Sequence, residues 1–329
     1  MSTSAKLPAD AARPPVEVQT TVSDVVAPKL LEWLDDVADA APRVRDSADP
    51  EGVHDLRVAM RRIRSLLRIV RTVFGKYHVD RIRADFKSVA DATGSLRDEE
   101  VLEETLRALE LRATASKALA PWLSRRAQRE RILRANVVRL LEAGALEQPS
   151  RHLRSLLQLP CKPSRDKEAR KFARRVVLDA QLSVDALRSD NVSDVNAMHQ
   201  LRIAHKRLRY AVEALEPALP PELRAWGQIA TRFQKVLGNL HDHDVALQVI
   251  SDAQRLAPSL KDAIQQSLVR ERAKHAAQYV ELAGPTLVRP VEQPEPQPPA
   301  ATPPVAPPPA SAPPRRRLNK TALAKKPHG

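Results

Sequence analysis

Cysteine occurs once in 329 residues, at Cys161. A single thiol excludes an intramolecular disulfide and any metal site built on several cysteines. Aromatic residues are nearly as scarce, with three Trp, three Tyr and four Phe. Single-stranded nucleic acid is bound on aromatic faces where bases stack, and this chain has few to offer. Only eight glycines are present. With abundant Ala, Leu, Arg and Glu, that scarcity points to helices joined by short connections. Nowhere do 18 uncharged apolar residues run together, and the first fifteen residues lack an apolar leader. A soluble, cytoplasmic protein is expected, long enough for two modest domains or one duplicated domain.

What the chain has in excess is positive charge. Lys and Arg number 54 against 40 Asp and Glu, a net charge of +14. That balance favours an acidic partner such as nucleic acid, an anionic surface or a phosphate polymer. Much of the charge follows a pattern that occurs twice. VHDLRVAMRRIRSLLR, Val53 to Arg68, aligns with MHQLRIAHKRLRYAVE, Met198 to Glu213. His54 meets His199, Arg57 meets Arg202, Arg61 meets Lys206, Arg62 meets Arg207, and Arg64 meets Arg209. At about 100° per residue, His54, Arg57, Arg61, Arg64 and Arg68 fall within a sector of roughly 80°. Leu56, Met60, Ile63, Leu67, Val70 and Phe74 gather on another face, ready to enter a core.

An ordinary solvated helix face offsets its cations with acids four positions away. Here Asp55 is the only acid between Val53 and Arg71. Like charges crowded in this way favour an anion as the missing partner. At about 1.5 Å of rise per residue the stripe is roughly 21 Å long, too long for one phosphate and suited to a chain of them.

Along the chain, residues 1–20 are polar and Pro/Ala-rich, and disorder is expected there. Helices are expected over Val22–Ala41, from a start at Asp49-Pro50-Glu51 to about Phe74, over Val79–Ala92, from about Asp98, and over Pro121–Leu146. Residues 147–163, with three prolines, read as a connector. The order then repeats: Lys167–Leu187, a striped helix capped by Ser193 or Asp194 and stopping near Pro217, then Pro221–Leu237, and further helices to about Gly284. From 285 to 329 the chain holds half of its 28 prolines and ends in a basic cluster. A disordered, extended tail is expected there.

A second motif also recurs: GSLRDEEV from Gly94 aligns with GNLHDHDV from Gly238. Both read as a helix stop at Gly and a restart capped by Asp. Asp98 and Asp242 are in addition candidates to pair with stripe arginines and hold them. His241-Asp242-His243-Asp244 superficially suggests a metal site, but residues two apart on a helix point in different directions.

The two motifs, H-x-x-R-[VI]-x-x-[RK]-R-x-R followed by G-x-L-x-D-x-x-V, resemble those of the CHAD domain, the conserved histidine α-helical domain. The resemblance spans roughly residues 20–284. It implies an all-α fold of two similar four-helix bundles related by a pseudo-two-fold axis, here about 21–146 and 164–284. It also implies binding of inorganic polyphosphate, with members found at bacterial storage granules. The implied ligands are His54, Arg57, Arg61 and Arg64 with His199, Arg202, Lys206 and Arg209. Arg68 extends the first stripe, whereas Glu213 stands at that place in the second. Arg62, Arg207, Asp98 and Asp242 are supporting candidates.

The chemistry agrees with that implication. Arginine stays charged and grips two phosphate oxygens through a planar fork, and a polymer without bases needs no aromatic reader. No catalytic set, metal or cofactor is expected. The alternatives are duplex nucleic-acid binding through the phosphate backbone and, less favoured, a metal-dependent phosphohydrolase.

Overall fold

A computed structural model describes residues 20–49, 51–189 and 191–284, which belong to one compact unit. The expected disordered N-terminus and the Pro-rich tail fall outside the described residues, apart from residue 20, as does Pro50. Among the described residues the chain forms ten α-helices and no β-strand. In order they are α1 (Val22–Arg43), α2 (Gly52–Ile69), α3 (Lys76–Ala92), α4 (Gly94–Arg107), α5 (Ala113–Glu142), α6 (Glu147–Gln158), α7 (Ala169–Ala186), α8 (Val195–Leu215), α9 (Pro221–Ser251) and α10 (Pro258–Leu282). The all-α expectation holds.

Local chemistry sets the helix starts. Thr21 and Asp24 form a reciprocal capping box at α1, satisfying amide groups that have no partner in the first turn. Asp194 caps α8, accepting from the Ala197 amide at 2.9 Å. Asp49 accepts from the Glu51 amide at 3.0 Å and also pairs with Arg43 at 2.7 Å. It therefore fixes the entry to α2, although the helix proper begins at Gly52.

Several boundaries differ from expectation, each for a physical reason. Residues 147–163, read as a connector, contain the twelve-residue helix α6. Pro149 lies in its first turn, where the missing amide costs nothing, and Leu153 and Leu156 are buried. Helix α5 begins eight residues before Pro121 and carries that proline inside. Leu119 and Trp122 are buried on either side of it, so packing outweighs the lost hydrogen bond. Helix α4 resumes at Gly94 rather than at Asp98, because only Thr93 interrupts the path from α3. In the second half nothing is interrupted: α9 runs 31 residues straight through Gly238. One glycine inside a helix costs about 1 kcal/mol, too little to stop a helix packed along its length. Asp98 and Asp242 therefore lie within helices and cap neither.

The core draws on both halves of the sequence. Leu56, Met60, Ile63, Leu67 and Val70 of the apolar stripe are fully buried with Trp33, Leu30 and Leu34 of α1 and with Leu201 and Leu208 of α8. A second apolar cluster joins Leu102, Leu106 and Trp122 of α4 and α5 to Ile250, Ile264 and Leu268 of α9 and α10. Arg134 of α5 adds a polar tie, donating to the Val44 carbonyl at 2.9 Å and pairing with Glu100 and Glu130.

Gly52 sets the approach of α2 to α1. A Cβ there would lie 2.9 Å from the carbonyl carbon and oxygen of Arg43, so backbone must move to admit one. Gly52→Ala is expected to destabilise the fold by about 1–3 kcal/mol, measured by chemical denaturation. An unchanged midpoint would show that the two helices part freely.

Candidate functional site

Because the apolar faces of α2 and α8 point into the core, their basic faces are left to meet elsewhere. The two helices pack beside one another, as do α4 and α9. Where the four converge there is a cavity of about 490 Å³. His54, Arg57 and Arg61 line it from α2, and Arg202 and Lys206 from α8. Helix α4 adds Arg97 and Asp98, and α9 adds Gln234, His241 and Asp242.

The first-stripe arginines are held in place. Arg57 donates through Nη1 to the Ala90 carbonyl at 2.6 Å and to Thr93 Oγ1 at 2.9 Å. Both acceptors belong to the end of α3, where the break at Thr93 frees a carbonyl. Arg61 donates through Nε to the Tyr210 hydroxyl at 2.6 Å, and its guanidinium lies 5.6 Å from the Tyr210 ring. Tyr210 belongs to α8 and is buried, so it links one stripe to the other.

The second-stripe cations differ. Arg202 makes no described hydrogen bond, and its Nε is buried without a partner. Helix α9 runs on unbroken at the matching place, so its carbonyls are already used within the helix. Carboxylates act on both stripes from further off: Asp98 and then Asp91 favour the Arg57 charge, and Asp242 that of Arg202. Among the described residues no carboxylate comes within 4.0 Å of Arg57, Arg61, Arg202 or Lys206. By contrast Arg97, which also lines the cavity, pairs with Glu100 at 3.2 Å.

Dehydration and crowding perturb these groups. Burial, with Arg202 and Arg61 beside it, brings the Lys206 ammonium down to about 7 against the pull of Asp242. Burial first, then Arg202, His199 and Lys206, lowers His241 to about 4. Burial and the neighbouring Arg97 push His54 below its ordinary value, and burial with Arg202 does the same to His199. Asp242 is pushed up by burial despite Arg202 and Lys206. The cavity is thus cationic yet incompletely charged, which a polyanion would reverse.

The remaining expected residues divide. His199 joins the site through His241, with ring centres 4.9 Å apart. Arg209 donates to Gln234 at 3.2 Å and flanks the Tyr210 ring. Arg64 and Arg68 continue along α2 beyond the cavity wall, and Arg207 is exposed. Arg62, expected to support the stripe, turns about 100° away from Arg61 and pairs with Glu213 at 2.7 Å. Glu213, the acid that interrupts the second stripe, is thereby committed to a structural pair. Arg97, Gln234 and Tyr210 are additional site residues. Arg97 and His241 occupy the same place in the two G-x-L motifs, a basic pair that was visible in the sequence.

Metal chemistry finds little here. In the HDHD run His241 enters the cavity, His243 bonds the Asn239 carbonyl oxygen, and Asp244 pairs with Arg272. Glu51, His54 and Asp55 bring donor atoms within 4.8 Å of one another, but Asp55 is engaged by Arg43 at 2.7 Å. No helix among the described residues is long and apolar enough to cross a membrane.

The fold is that of an established class. The chain belongs to the CHAD domain family, whose model matches residues 29–251. Two solved structures are similar in fold. The CHAD domain from the plant Ricinus communis has a TM-score of 0.62 at 22% identity, over 85% of this chain and 95% of that one. PptA from Streptomyces chartreusis has a TM-score of 0.61 at 17% identity, over 80% and 99%. No curated protein matches the chain.

Dehydration of Lys206 costs the fold stability in a pH-dependent way. The unfolded chain keeps this proton up to about pH 10.4, whereas the folded protein releases it near 7. The unfolded state therefore binds more protons between those values, and the penalty grows as pH falls through that window. Lys206→Met is expected to unfold at a higher temperature than the parent at pH 7, with the gap closing toward pH 10. A gap independent of pH would show that the lysine is not dehydrated.

Proposed function

We propose that the protein binds inorganic polyphosphate by laying one chain across both basic stripes, and that it does so as a storage-granule-associated binder without hydrolysing the polymer. The observation that carries this reading is the convergence of Arg57 and Arg61 with Arg202 and Lys206 on a single cavity, none of them neutralised by a carboxylate within 4.0 Å. Folding has brought these charges together at a cost in repulsion and dehydration, which an anionic ligand removes. A phosphate chain fits the chemistry: it supplies repeated oxygens to arginine forks and presents no base to be read. The duplicated motifs suit a repeating ligand, each half offering His, Arg and a further cation at equal spacing.

Duplex nucleic acid presents phosphates too, but on the outside of a wide rod, whereas these cations line a recess of about 490 Å³. The recess favours a slender polymer. Acting without hydrolysis accords with the surroundings of His199, which faces Arg202, Lys206 and the His241 ring.

Purified full-length protein is expected to retain long-chain polyphosphate in preference to duplex DNA at equal salt. Affinity should fall steeply with salt, with a log–log slope of roughly −3 to −4 if these four cations are neutralised. Phosphate release should stay at background with or without divalent metal. Salt-independent binding, preference for the duplex, or turnover would overturn the reading.

A further inference from the structure

The cations of the two stripes do not end where the cavity ends. Arg57 and Arg61 line it, while Arg64 and Arg68 continue along α2 for about another 10 Å. There they meet arginines from two other helices. Arg83 of α3 reaches under α2 and donates through Nε to the Arg64 carbonyl at 3.3 Å. Burial disfavours both charges; Arg83 and Arg61 also repel that of Arg64, which Asp91 attracts, and Arg207 of α8 and Arg83 repel that of Arg68. Three helices thus bring four guanidinium groups to one place.

The neighbouring acids are committed elsewhere. Glu213 pairs with Arg62, Asp91 pairs with Lys87, and Asp80, 3.4 Å from Arg83, is gripped by Arg71. Among the described residues neither Arg64, Arg68 nor Arg207 has a carboxylate within 4.0 Å. A solvated face would carry interleaved acids, and a structural cluster would have paired its arginines as Arg134 is paired. This one is left with its charge exposed at the end of a line of cations.

We propose that Arg64, Arg68, Arg83 and Arg207 form an exit site that holds an extended phosphate chain where it leaves the cavity between α2 and α8. The inference rests on the polyphosphate reading above and adds a basis for chain-length selection. A short oligophosphate is contained by the cavity. A long chain fills the cavity and runs on over the exit arginines, gaining contacts that the short one lacks. Because Glu213 replaces a cation in the second stripe, the added grip comes mainly from the first stripe and its neighbours.

The test compares tripolyphosphate with long-chain polyphosphate on the full chain and on the double variant Arg68→Gln, Arg207→Gln. Both positions are exposed, so the fold should tolerate the change, which circular dichroism verifies. The parent should bind the long chain more tightly per molecule, by more than the statistical gain from additional binding registers. The variant should keep its tripolyphosphate affinity, lose long-chain affinity by about tenfold, and show a salt slope shallower by roughly 1.5 for the long chain only. Equal weakening of both probes, or no change in either, would overturn the exit site. If the parent binds tripolyphosphate and the long chain equally, the exit site falls while the cavity reading stands. If it binds neither, both fall together.

Discussion

Everything about this molecule turns on the mutual repulsion of cations that its core forces together. The apolar faces of α2 and α8 are buried against α1, α7 and one another, and that burial fixes where their basic faces point. At about 25 cal/mol per Å² of apolar surface, packing of this extent far exceeds the repulsion among a few arginines and one lysine. The protein therefore folds with its charges confined, and the strain appears locally. Burial first, and the neighbouring cations after it, bring Lys206 down to about 7 and His241 to about 4, and an Arg202 nitrogen is buried without a partner.

The two halves manage that repulsion differently, although their motifs align. In the first half the break at Thr93 frees the Ala90 carbonyl, and Arg57 anchors on it. In the second, α9 is continuous and Arg202 has only the charge of Asp242 to balance it. Tyr210, standing where the first stripe has Ser65, reaches across to fix Arg61. The residue aligned with Arg61 is Lys206, whose compact ammonium makes no described hydrogen bond. One wall of the cavity consequently carries two anchored arginines, and the other an arginine without a described hydrogen bond and a titratable lysine. A repeating ligand meets a preformed arginine wall and completes the charge of the facing one.

Much of this was legible in the sequence, for specific reasons. The apolar stripe from Leu56 to Val70 has the period of a helix and is buried as expected. The basic stripe occupies a different sector, so its convergence with its repeat followed once both apolar faces were in the core. Features set by tertiary packing were not legible. Pro149 and Pro121 looked like helix boundaries, yet one sits in a first turn and the other is overridden by Leu119 and Trp122. Gly238 looked like Gly94, but the first half breaks at Thr93 and the second does not break at all. Tyr210 and Arg83 carry no motif of their own. Their roles come from reaching another helix, which no local spacing reveals.

The central claim is that both stripes grip the same ligand, and a mutant cycle tests it most directly. Arg57→Glu and Arg202→Glu are compared singly and together for binding of a long phosphate chain, with stoichiometry measured by titration calorimetry. If the stripes share one chain, each single change should weaken the whole binding event at unchanged stoichiometry. The double change should then cost less than the sum of the two, because residues on one ligand couple. If each single variant instead keeps a normal-affinity site at half the parent's stoichiometry, the stripes act independently and the shared cavity is not the binding site.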